Sequence, residues 1–167
     1  MTPLRKPRAI VITVSDTASR GTRQDLSGPA AREELEKLGC EVLAVQVVPD
    51  EFEMIQSHLL KNVESSDVDL VVTTGGTGLA PRDVTPEATA SVIEKTVPGM
   101  AELMRIEGMK ANPRAALSRG LVGVRNKTLV INLPGSVKGV QQSLGAIAVI
   151  LGHALEVVSG NTVRCGG

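Results

Sequence analysis

Residues 69–88 constrain the fold more than any other stretch. Leu70-Val71-Val72-Thr73 is an apolar, β-branched run with no polar break, the pattern of a strand buried on both faces. Gly75, Gly76 and Gly78 follow within a few residues. Glycine accepts positive φ and lets a ligand approach the main chain, so a Gly-Gly-Thr-Gly turn after a buried strand can aim several N–H groups at an anion. Thr74 and Thr77 add hydroxyl donors. Thr85, Pro86 and Glu87 then read as N-cap, first helical position and first turn of a helix. The stretch is neither a P-loop nor a dinucleotide fingerprint, because the Lys-Ser/Thr pair is absent and Pro81 stands where a third glycine belongs. A helix N-terminus contributes only about 0.3–1 kcal/mol toward an anion, up to ~2, whereas micromolar binding takes roughly 8 kcal/mol. Other loops must therefore converge on the same place.

The rest of the chain supplies them. Residues 8–15 form a second buried strand ending in Ser15-Asp16, and Ser27-Gly28-Pro29 opens a helix that stops at Gly39. Residues 41–48 form a strand ending in Pro49-Asp50, where Asp50 and Glu53 give a capping-box-like helix start. After a break at Val97-Pro98-Gly99 the pattern predicts a helix over 100–109, a loop over 111–114 and a short helical turn over 115–119. Two apolar runs, 121–124 and 128–133, can pair as a hairpin about Arg125-Asn126-Lys127. Pro134-Gly135-Ser136 then leads into a long helix with Val140, Leu144, Ile147, Leu151, Ala154 and Val158 on one face, ended by Gly160-Asn161. Residues 1–7 and 164–167 read as an unstructured leader and tail.

With 167 residues, 42% of them hydrophobic, this alternation implies one α/β domain over residues 1–167: a doubly wound, mostly parallel sheet with helices on both faces. Ligands of such sheets bind at the carboxyl ends of the strands. Those ends carry Ser15, Asp16, Asp50, Thr74 to Asp83, and Pro134 to Ser136, and they converge.

Composition narrows the ligand. With 18 basic and 18 acidic residues no overall field attracts nucleic acid or a membrane, and Phe52, the only aromatic side chain, offers little for stacking bases. No unbroken apolar run reaches the length of a membrane helix. Cys40 and Cys165 match no metal or redox spacing, which fits free thiols in a reducing compartment and a cytoplasmic protein. His58 and His153 lie within helices without a partner motif. Carboxylates beside a phosphate site repel the ligand unless a hard cation lies between them, and Mg²⁺ uses one or two carboxylates plus phosphate oxygens. The pattern thus points to a nucleotide or phosphate ester with Mg²⁺, and to phosphoryl or nucleotidyl transfer by positioning and charge neutralisation. Plainer roles are open to the same residues: Asp50 as a helix cap, Asp16 holding turn amides, Asp83 paired with Arg82, Ser136 as an N-cap, and Arg119 and Lys138 as solvated surface.

The run Thr-Thr-Gly-Gly-Thr-Gly at 73–78 with Pro-Arg-Asp-Val-Thr-Pro-Glu-Ala at 81–88 strongly resembles the signature of the molybdopterin adenylyltransferase family of molybdenum cofactor biosynthesis. Ser15-Asp16, Val48-Pro49-Asp50-Glu51, Pro98-Gly99-Met100, Leu117-Ser118-Arg119 and Asn132-Leu133-Pro134-Gly135-Ser136 look like further family landmarks in order. The resemblance implies a molybdopterin-binding-like domain that uses ATP and Mg²⁺ to adenylylate the phosphate of molybdopterin, releasing pyrophosphate. It implies a homotrimer, with some close relatives forming hexamers instead. By position, Thr74, Gly75, Gly76, Thr77 and Gly78 would bind phosphate, and Asp50 and Asp83 would be the catalytic, metal-holding carboxylates. Ser15, Asp16, Pro134, Gly135 and Ser136 would line the nucleotide and pterin pockets. The alternative is a short molybdopterin-binding relative with weak or no transferase activity, acting as a pterin-binding or scaffold protein.

Overall fold

Side-chain alternation along the strands sets the layering. On β1 (Arg8–Val14), Ala9 and Val11 join one apolar cluster with Ala31, Leu35, Met100, Met104, Leu144 and Ile147. Ile10, Ile12 and Val14 point the other way, into a cluster with Ile55, Leu59, Val63, Ala88 and Val92. A strand read as apolar throughout is thus covered on both sides, as period-two geometry requires. The structure, a computed structural model, describes residues 5–160.

The sheet order is β2-β1-β3-β6-β5-β4. β2 (Glu41–Val48), β1, β3 (Leu70–Thr74) and β6 (Thr128–Leu133) are parallel. β5 (Val122–Arg125) and β4 (Lys95–Thr96) complete it antiparallel. Helices α2 (Ser27–Lys37), α5 (Pro98–Ala111) and α6 (Val137–Ser159) cover one face, and α3 (Phe52–Val63) and α4 (Thr85–Ala90) the other. The expected doubly wound sheet is present. From β1 the chain goes to β2 on one side and then to β3 on the other, so the order reverses between β1 and β3. That switch point opens a crevice at the strands' carboxyl ends.

Several boundaries differ from the sequence reading. A four-residue helix α1 (Asp16–Ser19) and the two-residue strand β4 are too short to show a period. α5 begins at Pro98, because proline's fixed φ and missing N–H suit a first helical turn. The stretch read as a loop over 111–114 instead ends α5 and begins a 3₁₀ turn, Pro113–Leu117, capped by Asn112 Oδ1 accepting from Arg114 N at 3.1 Å. Residues 5–7 of the expected leader are held: Arg5 Nη1 lies 2.6 Å from Asp69 Oδ2 and the N–H of Glu41 donates to Pro7 O at 2.8 Å. The remaining leader residues, Cys165 and the 164–167 tail lie outside the described residues. The β5–β6 hairpin forms as expected, with Asn126 at φ 53° in its turn. At 23 residues α6 is long and apolar enough to cross a bilayer by length and composition, yet Val140, Leu144, Ile147 and Leu151 pack into the core. Cys40 is buried and free, and burial pushes its thiol up to about 11, so it is an inert core side chain.

Candidate active site

β3 ends at the switch point and the glycine loop begins there. Gly75 and Gly76 take φ of 98° and 66°, conformations that favour glycine. A Cβ at Gly75 would collide with the carbonyl of Val14 at the end of β1, and one at Gly76 with the Thr85 hydroxyl. Gly135 closes the loop from the β6 side, its Cβ position 3.2 Å from Gly75 Cα. Gly75 and Gly76 are therefore required by contact with the end of β1 and the start of α4.

Among the described residues, the N–H groups of Gly76, Thr77, Gly78 and Leu79 have no hydrogen-bond partner. Their directions are nonetheless fixed, because each peptide plane is rigid and its carbonyl is held. Gly75 O accepts from Thr85 Oγ1 at 3.0 Å and Gly76 O from Thr85 N at 3.1 Å. Thr77 O accepts from Arg119 N at 2.9 Å and Gly78 O from Arg119 Nε at 2.8 Å. Successive oriented, unpartnered N–H groups form a nest for an anion.

Two carboxylates flank this nest. Asp50 Oδ1 lies 3.3 Å from the Cβ position at Gly76, and Asp83 Oδ2 2.8 Å from that at Gly78. Burial pushes the Asp50 carboxyl above its ordinary value, and the charges of Asp16 and Asp83 push the same way against the N–H of Asp16 and the charge of Arg82. Among the described residues no three acidic, histidine or cysteine side chains group closely enough to hold a metal alone. Two carboxylates beside a phosphate nest are nonetheless the donor set that Mg²⁺ completes with phosphate oxygens and water.

Other expected ligands turn out to build the site. Asp16 and Asp50 clamp each other: Asp16 N donates to Asp50 Oδ2 at 2.8 Å and Asp50 N to Asp16 Oδ1 at 3.1 Å. The capping-box reading of Asp50 is corrected, since α3 starts after Glu51 with no side-chain cap. Arg82 pairs with Asp16, not Asp83, through Nε–Oδ2 at 2.6 Å and Nη2–Oδ1 at 2.9 Å, and this contact holds the Asp16 carboxyl below its ordinary value. Asp83 instead accepts from Ala80 N at 2.9 Å. Ser15 caps α1, accepting from Ala18 N at 3.2 Å. The buried Thr74 hydroxyl donates to Pro134 O at 2.7 Å, so it joins β3 to β6 and is not a phosphate donor. Thr85 is the first residue of α4, not its cap, because its hydroxyl donates to Gly75 O. Ser136 does cap α6, accepting from Gly139 N at 3.0 Å.

On the other side of the loop a cleft of about 490 Å³ runs between α5, the 3₁₀ turn and the start of α6. Thr77, Gly78, Pro134 and Ser136 line its floor, and Arg105, Arg114 and Lys138 bring three basic side chains to its walls. Lys138, for which the sequence allows both solvated surface and reach to a phosphate, is exposed and lines this cleft. Arg105 and Arg114 were missed, because they sit on α5 and the 3₁₀ turn with no motif around them; only the fold brings them to the loop. Carboxylates on one flank and cations on the other suit a ligand with several phosphates and a second anionic molecule.

A family model described as "Probable molybdopterin binding domain" matches residues 10–153. The chain belongs to this family. The molybdopterin adenylyltransferase of Helicobacter pylori (strain J99) is 44% identical over 156 residues, covering 92% of this chain and 89% of that protein. The enzyme of the same name from Escherichia coli (strain K12) is 38% identical over 139 residues, 82% of this chain and 71% of the other. The crystal structure of the molybdopterin biosynthesis enzyme MoaB from Thermus thermophilus matches with a TM-score of 0.87 at 50% identity, over 94% of this chain and 99% of that one. In this molybdopterin-binding domain the matched span runs from β1 into α6, so it contains every strand end described above.

Proposed function

We propose that this protein is a molybdopterin adenylyltransferase of molybdenum cofactor biosynthesis: an oxygen of the molybdopterin phosphate attacks the α-phosphorus of ATP, the bond to the β-phosphate breaks, and pyrophosphate leaves. The observation that carries this reading is the nest at Gly76 to Leu79, whose unpartnered N–H groups lie between Asp50 and Asp83 and border the basic cleft. The nest binds phosphate oxygens of the nucleotide. Arg105, Arg114 and Lys138 hold the acceptor's phosphate in the adjoining cleft. Such transfer requires alignment and neutralised charge more than a protein nucleophile. Asp50 and Asp83 would hold Mg²⁺, which when bound neutralises charge developing on the phosphates. We further propose a cytoplasmic homotrimer, a hexamer being the alternative; exposed Ile106, Met109, Val149, Ile150 and Val157 on α5 and α6 offer apolar surface for assembly to cover.

The test is to incubate the protein with molybdopterin, ATP and MgCl₂ and to follow adenylylated pterin and pyrophosphate. Stoichiometric formation of both, abolished by chelating the metal, is expected. Tight pterin binding without product would refute the transferase reading and leave a binding protein.

A further inference from the structure

The sequence leaves Arg119 between solvated surface and a side chain able to reach a phosphate; in the structure it does neither in full, being half-buried against the protein. It lies between the 3₁₀ turn, which walls the cleft, and β5. Its side chain is 35% exposed and turns back to the glycine loop. Nε donates to Gly78 O at 2.8 Å, Nη2 to Asp83 O at 2.7 Å, and the outer edge of the guanidinium pairs with Glu87. Arg105 holds the same segment from the other side, Nη1 donating to Gly120 O at 3.0 Å.

We propose that Arg119 is a positioning residue for adenylyl transfer, its guanidinium fork fixing the Gly78 and Asp83 peptide planes so that the Leu79 N–H and the Asp83 carboxylate keep the arrangement the phosphates need. The proposal rests on the adenylyltransferase reading above. The geometry explains why a fork is required. Gly78 has no side chain to restrain its backbone, and a pinned carbonyl fixes the N–H across the same rigid amide. The two carbonyls are five residues apart in sequence, and one planar group bridges both while Glu87 holds its far edge. A lysine ammonium is a single point charge on a flexible stem and lacks that planar fork. The polar contacts of the Arg119 side chain are with Gly78 O, Asp83 O and Glu87, so its effect falls on the alignment of the loop.

The experiment compares the wild-type full chain with Arg119→Lys and Arg119→Ala, the latter with and without millimolar guanidinium ion. Steady-state kinetics in Mg-ATP, the molybdopterin dissociation constant and the melting temperature are measured for each. Since a misplacement of about 1 Å costs on the order of 100-fold, both variants are expected to lose tenfold to a hundredfold in kcat/KM for Mg-ATP. Their pterin affinity should stay within about twofold, an alignment change being felt in the transition state and not in the bound acceptor. Guanidinium ion should restore part of the activity of Arg119→Ala. Wild-type kinetics in Arg119→Lys, or a parallel loss of pterin affinity, would overturn the proposal. If Arg119→Ala does not fold, Arg119→Lys decides alone. Absence of product from the wild type would instead refute the transferase reading. Calorimetric binding of Mg-ATP to wild type and Arg119→Lys would then decide the loop, equal affinities overturning the positioning role.

Discussion

Asp50 holds its charge against its surroundings. Burial raises its carboxyl, and the neighbouring charges of Asp16 and Asp83 add to this. A carboxyl whose folded pKa is raised contributes stability that is fully present only below its unfolded value, near ~3.9, and that is lost as pH rises through the folded value. At neutral pH ionised Asp50 therefore opposes folding. Asp50→Asn keeps an acceptor for the N–H of Asp16 and removes the charge, so the melting temperature should hold or rise while turnover falls at least about tenfold, the trade-off expected of a strained site. Thermal unfolding and steady-state turnover of the wild type and Asp50→Asn check the two. Asp16 has the opposite sign: its carboxyl is lowered by the hydrogen bond from Arg82, so its contribution is present above ~3.9 and is lost only as pH falls through the lower folded value. Asp83, held through Ala80 and Arg119, should act in the transition state. Asp83→Asn is expected to lower kcat at least about tenfold with pterin affinity nearly unchanged. Equal losses in both would remove that role.

The glycine loop works as an element because three others support it. Gly75 N donates to Leu133 O at 3.1 Å, tying the loop to β6, while Thr85 holds its first two carbonyls and Arg119 the next two. Gly75→Ala and Gly76→Ala should separate support from function. At Gly75 the φ of 98° and the Val14 carbonyl leave no room for a methyl, and a strained backbone of this kind costs about 1–3 kcal/mol. Urea denaturation should show that loss, with the transition moving to lower urea. At Gly76, whose φ of 66° also strains any side chain, a methyl would meet the Thr85 hydroxyl that holds Gly75 O and would lie beside Asp50, so Gly76→Ala should lose Mg-ATP affinity, measured by calorimetry, in addition to stability. The loop's existence was legible in its spacing. That the Thr74 and Thr85 hydroxyls serve the loop from behind was not, because a threonine has the same local pattern whether it faces a ligand or a carbonyl.

Across the whole molecule, balanced charge leaves no long-range field to draw anionic substrates, so capture depends on the few cations that the fold gathers at the cleft. Apolar side chains left exposed on α5 and α6 should be covered by assembly. Sedimentation equilibrium is expected to give three times the chain mass of 17.5 kDa; a single-chain mass would refute the trimer. The sequence by itself determined the strand and helix alternation, the glycine loop, the caps at Ser136 and Gly160, and the strand ends that meet, because periodicity, glycine placement and capping are local rules carried by neighbouring residues. Only the tertiary structure decided that Arg82 holds Asp16 across 66 residues, that Arg119 reaches Gly78 across 41, and that Arg105, Arg114 and Lys138 face one cleft. A long, flexible cation can pair with many carbonyls and carboxylates at nearly equal energy, and which one it meets is settled by how the sheet's strand order folds distant loops onto one edge.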